Sequence, residues 1–332
     1  MLNRLLGIAI FVISILLAWG WMQYDDFIHT PLQLPEAGIH YDLKSGSTIR
    51  SVASDLQDNG VITKPVLLRV VARWNGQASQ LKAGEYHLPH GITPIELLDI
   101  LTSARVVQHA MTIIEGWTFK QLMEAVRRHE SLAHTLEDVE SEKIMQALGF
   151  DGMHPEGRFY PDTYHFPKGT TDVEFLQRAY RRMEESLQNA WDKRDENLPL
   201  NTAYEALILA SIIEKETGIP SERDKIAGVF VRRLKKGMRL QTDPTVIYGM
   251  GEAYDGNIRR RDLTTDTPYN TYVHKGLTPT PIAMPSGAAI EAALHPAAGN
   301  ALYFVATGNG GHHFSTTLEG HNKAVRKYQL KR

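Results

Sequence analysis

Two glutamates, Glu214 and Glu216, close a stretch from Asn201 to Gly218 that reads as one helix. Thr202 with Glu205 fits an N-terminal capping box, Gly218 and Pro220 fit a C-terminal stop, and Leu207 to Ile213 is apolar on every side except Ser211. A helix apolar all round is a central, buried one. A carboxyl in its last turn meets desolvation and the partial negative end of the helix, and both favour the protonated form. That is the state a general acid needs in order to hand a proton to a glycosidic oxygen. Glu214 follows Leu207, Ala210 and Ser211 on one helix face, which makes it a candidate for such an acid. The plain alternative is an ion pair at the helix end with Lys215, Arg223 or Lys225. Glu115 and Glu156 are further acids, each preceding a glycine, for which a turn role is the simpler account.

Other chemistries fail on spacing. His129-Glu130 with His134 misses the zinc-protease helix motif, because the second histidine falls one residue too far along to share a face. Gly308-Asn-Gly310-Gly311 lacks the following Lys-Ser/Thr of a phosphate loop. His312 and His313 point apart on a strand and are expected to be solvated. No metal and no cofactor is expected.

The elements that position these residues begin with an uncharged run of eighteen residues, Leu5 to Met22, between Arg4 and the acidic pair Asp25 and Asp26. As a helix it spans about 27 Å, near the thickness of a bilayer's hydrocarbon core. Trp19, Trp21 and Tyr24 fall where such a helix leaves the lipid, and the basic flank before it puts the bulk of the chain outside the cytoplasm. Ala18 and Gly20 also form a small-x-small pair, the mark of a cleaved signal; the length of the apolar run favours an anchor. Pro31, Pro35 and Gly38 then read as a stiff spacer outside any core, with the folded part starting near Ile39.

Three stretches, Gly46-Ser-Thr48, Gly91-Ile-Thr93 and Gly116-Trp-Thr118, each place a turn glycine before a threonine suited to N-cap the amphipathic run that follows. Val173 to Trp191 sets Phe175, Leu176, Ala179, Tyr180, Met183, Leu187 and Trp191 at spacings of three and four, a surface helix with one buried face. The formal charge of -2 supplies no global basic field, so nucleic acid is not an expected partner, and the absence of cysteine excludes disulfides and thiolate chemistry.

Tyr41-Asp-Leu-Lys-Ser-Gly46-Ser-Thr48-Ile49-Arg-Ser-Val52-Ala53 resembles the opening of a LysM glycan-binding module, and Leu81-Lys-Ala-Gly84-Glu-Tyr86-His-Leu88-Pro89 its closing strand, with a longer middle and Ser47 where an acidic residue is usual. Ile212-Ile-Glu214-Lys-Glu216-Thr217, Ser221-Glu-Arg223-Asp224-Lys225, Leu240-Gln241-Thr242-Asp243-Pro244-Thr245-Val246-Ile247-Tyr248-Gly249 and Tyr269-Asn270-Thr271-Tyr272 closely resemble the YceG-like endolytic murein transglycosylases. Glu156-Gly-Arg-Phe-Tyr160-Pro-Asp162-Thr163-Tyr164, His312-His-Phe314-Ser-Thr316 and His321-Asn322-Lys323 match as well, so the likeness runs in order through nearly the whole chain.

The resemblance implies cleavage between N-acetylmuramic acid and N-acetylglucosamine inside glycan strands, leaving 1,6-anhydro ends, with Glu214 catalytic. It points to Glu156, Tyr160, Asp162, Tyr164, Glu216, Gln241, Thr242, Asp243, Tyr248, Tyr269, Asn270 and Tyr272 as substrate-binding candidates, each of which can equally be a core contact or a turn former. It also implies peptidoglycan strands as substrate, a place in the inner membrane with the catalytic part in the periplasm, and wall-synthesis and division machinery as partners.

The expected fold is α+β: a tail at 1–4, a transmembrane helix at 5–22, a linker at 23–38, a LysM-like αβ module at 39–104 and a mixed catalytic domain at 105–332. A hydrolase using a second acid such as Asp243 or Glu156, and a non-catalytic glycan-binding scaffold, stay open as alternatives.

Overall fold

The computed structural model describes residues 2–103, 105–136 and 140–330. Met1 of the expected tail and Ala104, where the sequence places a boundary, lie outside the described residues. The chain divides into two compact units, residues 1–109 with 165–169, and residues 110–164 with 170–332.

The first unit opens with α1 (Leu2–His29), followed by β1 (Ile39–Leu43), α2 (Ile49–Asp58), α3 (Pro65–Trp74), β2 (Gly84–Leu88) and α4 (Pro94–Thr102). β1 and β2 pair antiparallel, with Tyr41 opposite Tyr86, and the two helices between them pack on one face of that ribbon. Such a ribbon cannot persist alone, and Leu56, Leu68, Val71, Leu88, Leu97 and Leu101, all fully enclosed, supply the apolar layer it needs. Thr48 and Thr93 cap α2 and α4 with reciprocal capping boxes, as their place after a turn glycine predicts.

The expected spacer turns out to be part of this core. α1 runs on to His29, and Phe27, Leu32 and Leu34 are buried with the α2 to α4 side chains. The Leu32 amide donates to the Ile92 carbonyl at 2.8 Å, and the ring of His90 bonds the Leu34 carbonyl at 2.7 Å. Pro31 and Pro35 stiffen the segment as their fixed φ requires, but the leucines between them are apolar and take the burial available.

The chain passes into the second unit within β3 (Gln108–Thr112), leaves and re-enters it around β5 (Thr163–Pro167), and there forms α5 (Phe119–Arg128), β4 (Leu132–Ala133), α6 (Ser141–Ala147), β6 (Thr170–Thr171) and α7 (Asp172–Trp191). Next come α8 (Ala203–Glu216), α9 (Pro220–Lys235), α10 (Asp243–Met250), α11 (Gly287–Leu294), the antiparallel hairpin of β7 (Tyr303–Ala306) and β8 (His312–Ser315), and α12 (Leu318–Tyr328).

α8 is the central helix the sequence predicts: Ala206 to Ile213 are all buried, packed against α7, α9 and α11. Its N-terminus departs from a full capping box, since Thr202 accepts from the Glu205 amide while the Glu205 carboxylate turns to the amide of Asn201 at 2.6 Å. α7 buries the predicted apolar face from Phe175 to Leu187, and Thr118 caps α5 with a third reciprocal box.

Candidate active site

The last turn of α8 presents Glu214, Lys215 and Glu216 in succession. Neighbouring residues on a helix project about 100° apart, so the three side chains take separate directions. Lys215 reaches the Gly116 carbonyl at 3.1 Å. Glu214 accepts from the amide of Ser286 at 3.0 Å and from its hydroxyl at 2.5 Å. Ser286 is the N-cap of α11, so this carboxylate sits on the positive end of a packed helix. The arrangement is that of a staple between α8 and α11, with the Ser211 hydroxyl accepting from the Ile282 amide at 3.0 Å one turn earlier.

Glu216 faces the other way, into a cleft of about 480 Å³. Its Oε1 accepts from the hydroxyl of the buried Thr242 at 2.5 Å. The residue is half-buried at the wall of the cleft. Desolvation pushes its pKa up, the nearby negative charge of Asp243 adds to the rise, and the Thr242 hydroxyl, His312 and Arg233 oppose it without cancelling it.

The segment that brings Thr242 and Asp243 to Glu216 is held by a cluster of threonines. Gln241 adopts a left-handed backbone with φ of 52°, a costly conformation for a side-chain-bearing residue. Its amide donates to the Thr271 carbonyl at 3.2 Å, the Thr242 amide donates to the Thr271 hydroxyl at 3.1 Å, and the Thr245 and Thr271 hydroxyls lie 2.8 Å apart. Asp243 then accepts from the Tyr272 hydroxyl at 2.6 Å. Asn270 makes this possible from behind: its side-chain amide donates to the carbonyls of Asp262 and Thr265, and its oxygen accepts from the Tyr272 amide at 2.9 Å.

The same cleft is lined by Arg233 of α9 and by residues of the β7–β8 hairpin and α12. Arg233 is nearly enclosed and donates to the carbonyls of Leu240 and Leu302, each at 2.7 Å, while its guanidinium lies 5.1 Å from the Tyr303 ring centre. His321 stacks on that same ring, at 5.3 Å between centroids. His312 turns inward from β8, and its ring nitrogen lies 2.7 Å from a Glu222 carboxylate oxygen whose partner oxygen accepts from the His312 amide at 3.0 Å. Burial pushes the Glu222 carboxyl up, and the two His312 bonds together with Lys225 outweigh it, so the group stays below the ordinary carboxylate range. His312 and His313 do point apart as strand alternation requires, but His312 is a paired wall residue rather than a solvated one.

Of the sequence candidates, then, Glu216, Gln241, Asp243 and Tyr272 line one cleft, with Thr242 bonded to its acid. A second group gathers elsewhere in the unit. Glu156 is 3% exposed, accepts from the Phe119 amide at 2.9 Å and from the Tyr248 hydroxyl at 3.0 Å, and borders a cavity of about 320 Å³. Burial pushes its pKa up to about 7, against the pull of those two bonds and of Lys215. Its turn role is also real: Gly157 has φ of 78°, and a Cβ there would stand 2.4 Å from Pro281. Tyr248 meets Tyr269 edge-on, and the Tyr269 hydroxyl lies 2.9 Å from that of Thr280.

The remaining candidates are framework. Tyr164 is buried against Phe175 with its hydroxyl donating to the Tyr160 carbonyl at 2.8 Å, Tyr160 packs on the α8 core beneath Arg182, and Asp162 is exposed with its side chain bonded to the next amide. Arg233, Tyr303 and Ser286 carry no local signal of their roles. For His312 the period-two alternation of β8 was the available clue.

The YceG-like family model matches residues 41–327. The chain belongs to the YceG-like family. It is 34% identical over 307 residues to a Bacillus subtilis protein named endolytic murein transglycosylase, covering 87% of this chain and 84% of that one. It is 27% identical over 356 residues to a protein of the same name from Streptococcus pneumoniae, covering 95% of this chain and 63% of the longer relative. The crystal structure of a YceG-like protein from Listeria monocytogenes superposes with a TM-score of 0.55 at 30% identity, over 87% of this chain and 99% of that one.

Proposed function

We propose that this chain is an endolytic lytic transglycosylase of peptidoglycan, and that Glu216 is both its acid and its base. The observation that carries the residue choice is the Glu216 carboxyl at the wall of an open polar cleft, bonded there by Thr242 and pushed by desolvation toward its protonated form. The names of the family relatives support the reaction class. The sequence expectation placed the proton on Glu214. Its Oε2 is taken up by the amide and hydroxyl of Ser286 at the N-cap of α11, away from the cleft, so the proposal moves the role two residues along.

In this reading the protonated Glu216 gives its proton to the bridging oxygen as the bond from that oxygen to the muramoyl anomeric carbon breaks. The C6 hydroxyl of the same muramoyl residue attacks the anomeric carbon, and its proton returns to Glu216. The proton count closes on one carboxyl with no water consumed, whereas an ordinary glycosidase needs two carboxyls at a set separation. Asp243, anchored by Tyr272, adds negative charge beside the developing oxocarbenium centre.

Asp243 also keeps a hydrolase reading open, because it shares the cleft with Glu216. Product analysis separates the two. Purified full-length protein on isolated sacculi should release muropeptides with anhydro ends by mass spectrometry; reducing ends would favour the hydrolase, and no release would favour a glycan-binding scaffold.

The βααβ order of the first unit, together with the capped opening at Thr48, supports a LysM-like module that holds glycan while the second unit cuts it. α1, whose side chains from Leu5 to Met22 are uncovered, supports a membrane anchor with the folded units on the periplasmic side. From there wall-synthesis and division machinery are within reach as partners.

A further inference from the structure

We propose that the outer face of α3 lies in the lipid headgroup layer at the point where α1 leaves the membrane. This rests on the reading of α1 as an anchor. α2 and α3 are successive helices of the same length in one small module, and each buries an inner face, α2 with Ile49, Val52, Ala53 and Leu56 and α3 with Leu68, Val71 and Ala72. Their outer faces differ. α2 shows Arg50, Ser51, Ser54, Asp55, Gln57 and Asp58 to solvent. α3 instead exposes Val66 at 56%, Val70 at 40% and Trp74 at 73%. A spacing of four residues puts these three in one stripe. Arg73 stands exposed beside the stripe, a cation on a long apolar stem suited to phosphate headgroups above an apolar layer.

The position of the stripe identifies its occupant. Trp74 meets the Tyr24 ring of α1 edge-on at 5.8 Å between centroids, and Tyr24 lies 5.8 Å from the Trp21 ring. At the other end of α3, the Lys64 ammonium bonds Gln23 at 2.9 Å and Asp26 at 3.3 Å. Both ends of α3 therefore reach the same turn of α1, the arrangement of a helix lying across the anchor's exit. That turn follows directly on the uncharged run, where tryptophan and tyrosine prefer the boundary between lipid and water. The apolar stripe is thus continuous with the surface of α1 that the bilayer covers, and a lipid surface is the partner that fits both.

The chain has no cysteine, so single spin labels report depth without background substitutions. The full-length protein, carrying Val66→Cys, Val70→Cys, Phe11→Cys or Ser54→Cys, is reconstituted in nanodiscs of phosphatidylethanolamine and anionic phosphatidylglycerol. Collision rates with oxygen and with a water-soluble nickel chelate are then measured. The expected result is that positions 66 and 70 show a several-fold higher oxygen-to-nickel ratio than position 54 on α2, below that of position 11 in the span. Ratios at 66 and 70 equal to that at 54, with position 11 deep, would overturn the proposal and leave the anchor standing. A water-exposed position 11 would overturn both. Strong dipolar broadening between labels at position 70 in discs holding two chains would mark a second copy as the occupant and overturn the lipid assignment.

Discussion

The cleft at Glu216 and the cavity at Glu156 both hold a carboxyl whose pKa burial has pushed up, yet they are built for different ends. Both oxygens of Glu156 are bonded, one by the Phe119 amide and the other by the Tyr248 hydroxyl, and the residue ties the start of α5 to α10. Among the described residues Glu216 is bonded at one oxygen, by Thr242, and it stands at the wall of the larger, polar space. A raised carboxyl pKa marks a reactive acid only where the group is also reachable. Glu214 is also half-buried and bonded through one oxygen, Oε2, which takes both the amide and the hydroxyl of Ser286; it differs from Glu216 in facing the N-cap of α11 rather than the cleft.

The most severe way to break this comparison is Glu216→Gln. The amide keeps an oxygen for Thr242 and removes the titratable proton, so folding should persist with an unchanged or slightly raised melting temperature. Release of anhydro-muropeptides at matched folded concentration should fall by a factor on the order of a hundred to ten thousand. Near wild-type release would return the assignment to Glu214 or Glu156.

Glu156→Gln tests the other side. A carboxyl with ordinary pKa 4.5 when unfolded and about 7 when folded binds more protons in the folded state between those values. Its contribution to stability is therefore greatest below pH 4.5 and declines as pH rises through 7, by an amount on the order of 3 kcal/mol. Denaturant unfolding of wild type against Glu156→Gln across this window should show the wild type losing ground with rising pH while the variant's activity stays within about tenfold. A pH-independent difference would mean that Glu156 does not titrate in that window.

Glu214→Gln should cost about 1 kcal/mol of stability by weakening the bonds from Ser286, and activity should survive at matched folded concentration. Collapse of activity without loss of folding would move the acid back to Glu214. The finest test is Thr242→Val, which takes away a donor that stabilises the Glu216 carboxylate. With it gone the Glu216 pKa should rise further, and the alkaline limb of the kcat/KM profile should move to higher pH. A limb that stays in place would mean that Glu216 does not set it.

Much of this molecule is local and was therefore legible in its residues. The apolar run into α1, the threonine caps of α2, α4 and α5, the buried face of α7 and the all-apolar α8 each follow from periodicity and capping, which act over three or four residues. Leu32 and Leu34 escaped because two prolines announce a spacer and say nothing of what lies beneath it. The motif residues were found together, but their roles were not, since a tyrosine in a core and a tyrosine in a cleft are the same letter. Tyr164 turns into the core and Tyr272 faces the cleft. The choice between Glu214 and Glu216 is the sharpest case. Two residues on a helix are about 200° apart, so the sequence by itself determined that they face opposite ways. Which way leads to the cleft was decided by Ser286 and Thr242, 72 and 26 residues distant along the chain, and only the tertiary packing of α11 and α10 against α8 brings those partners to their sides.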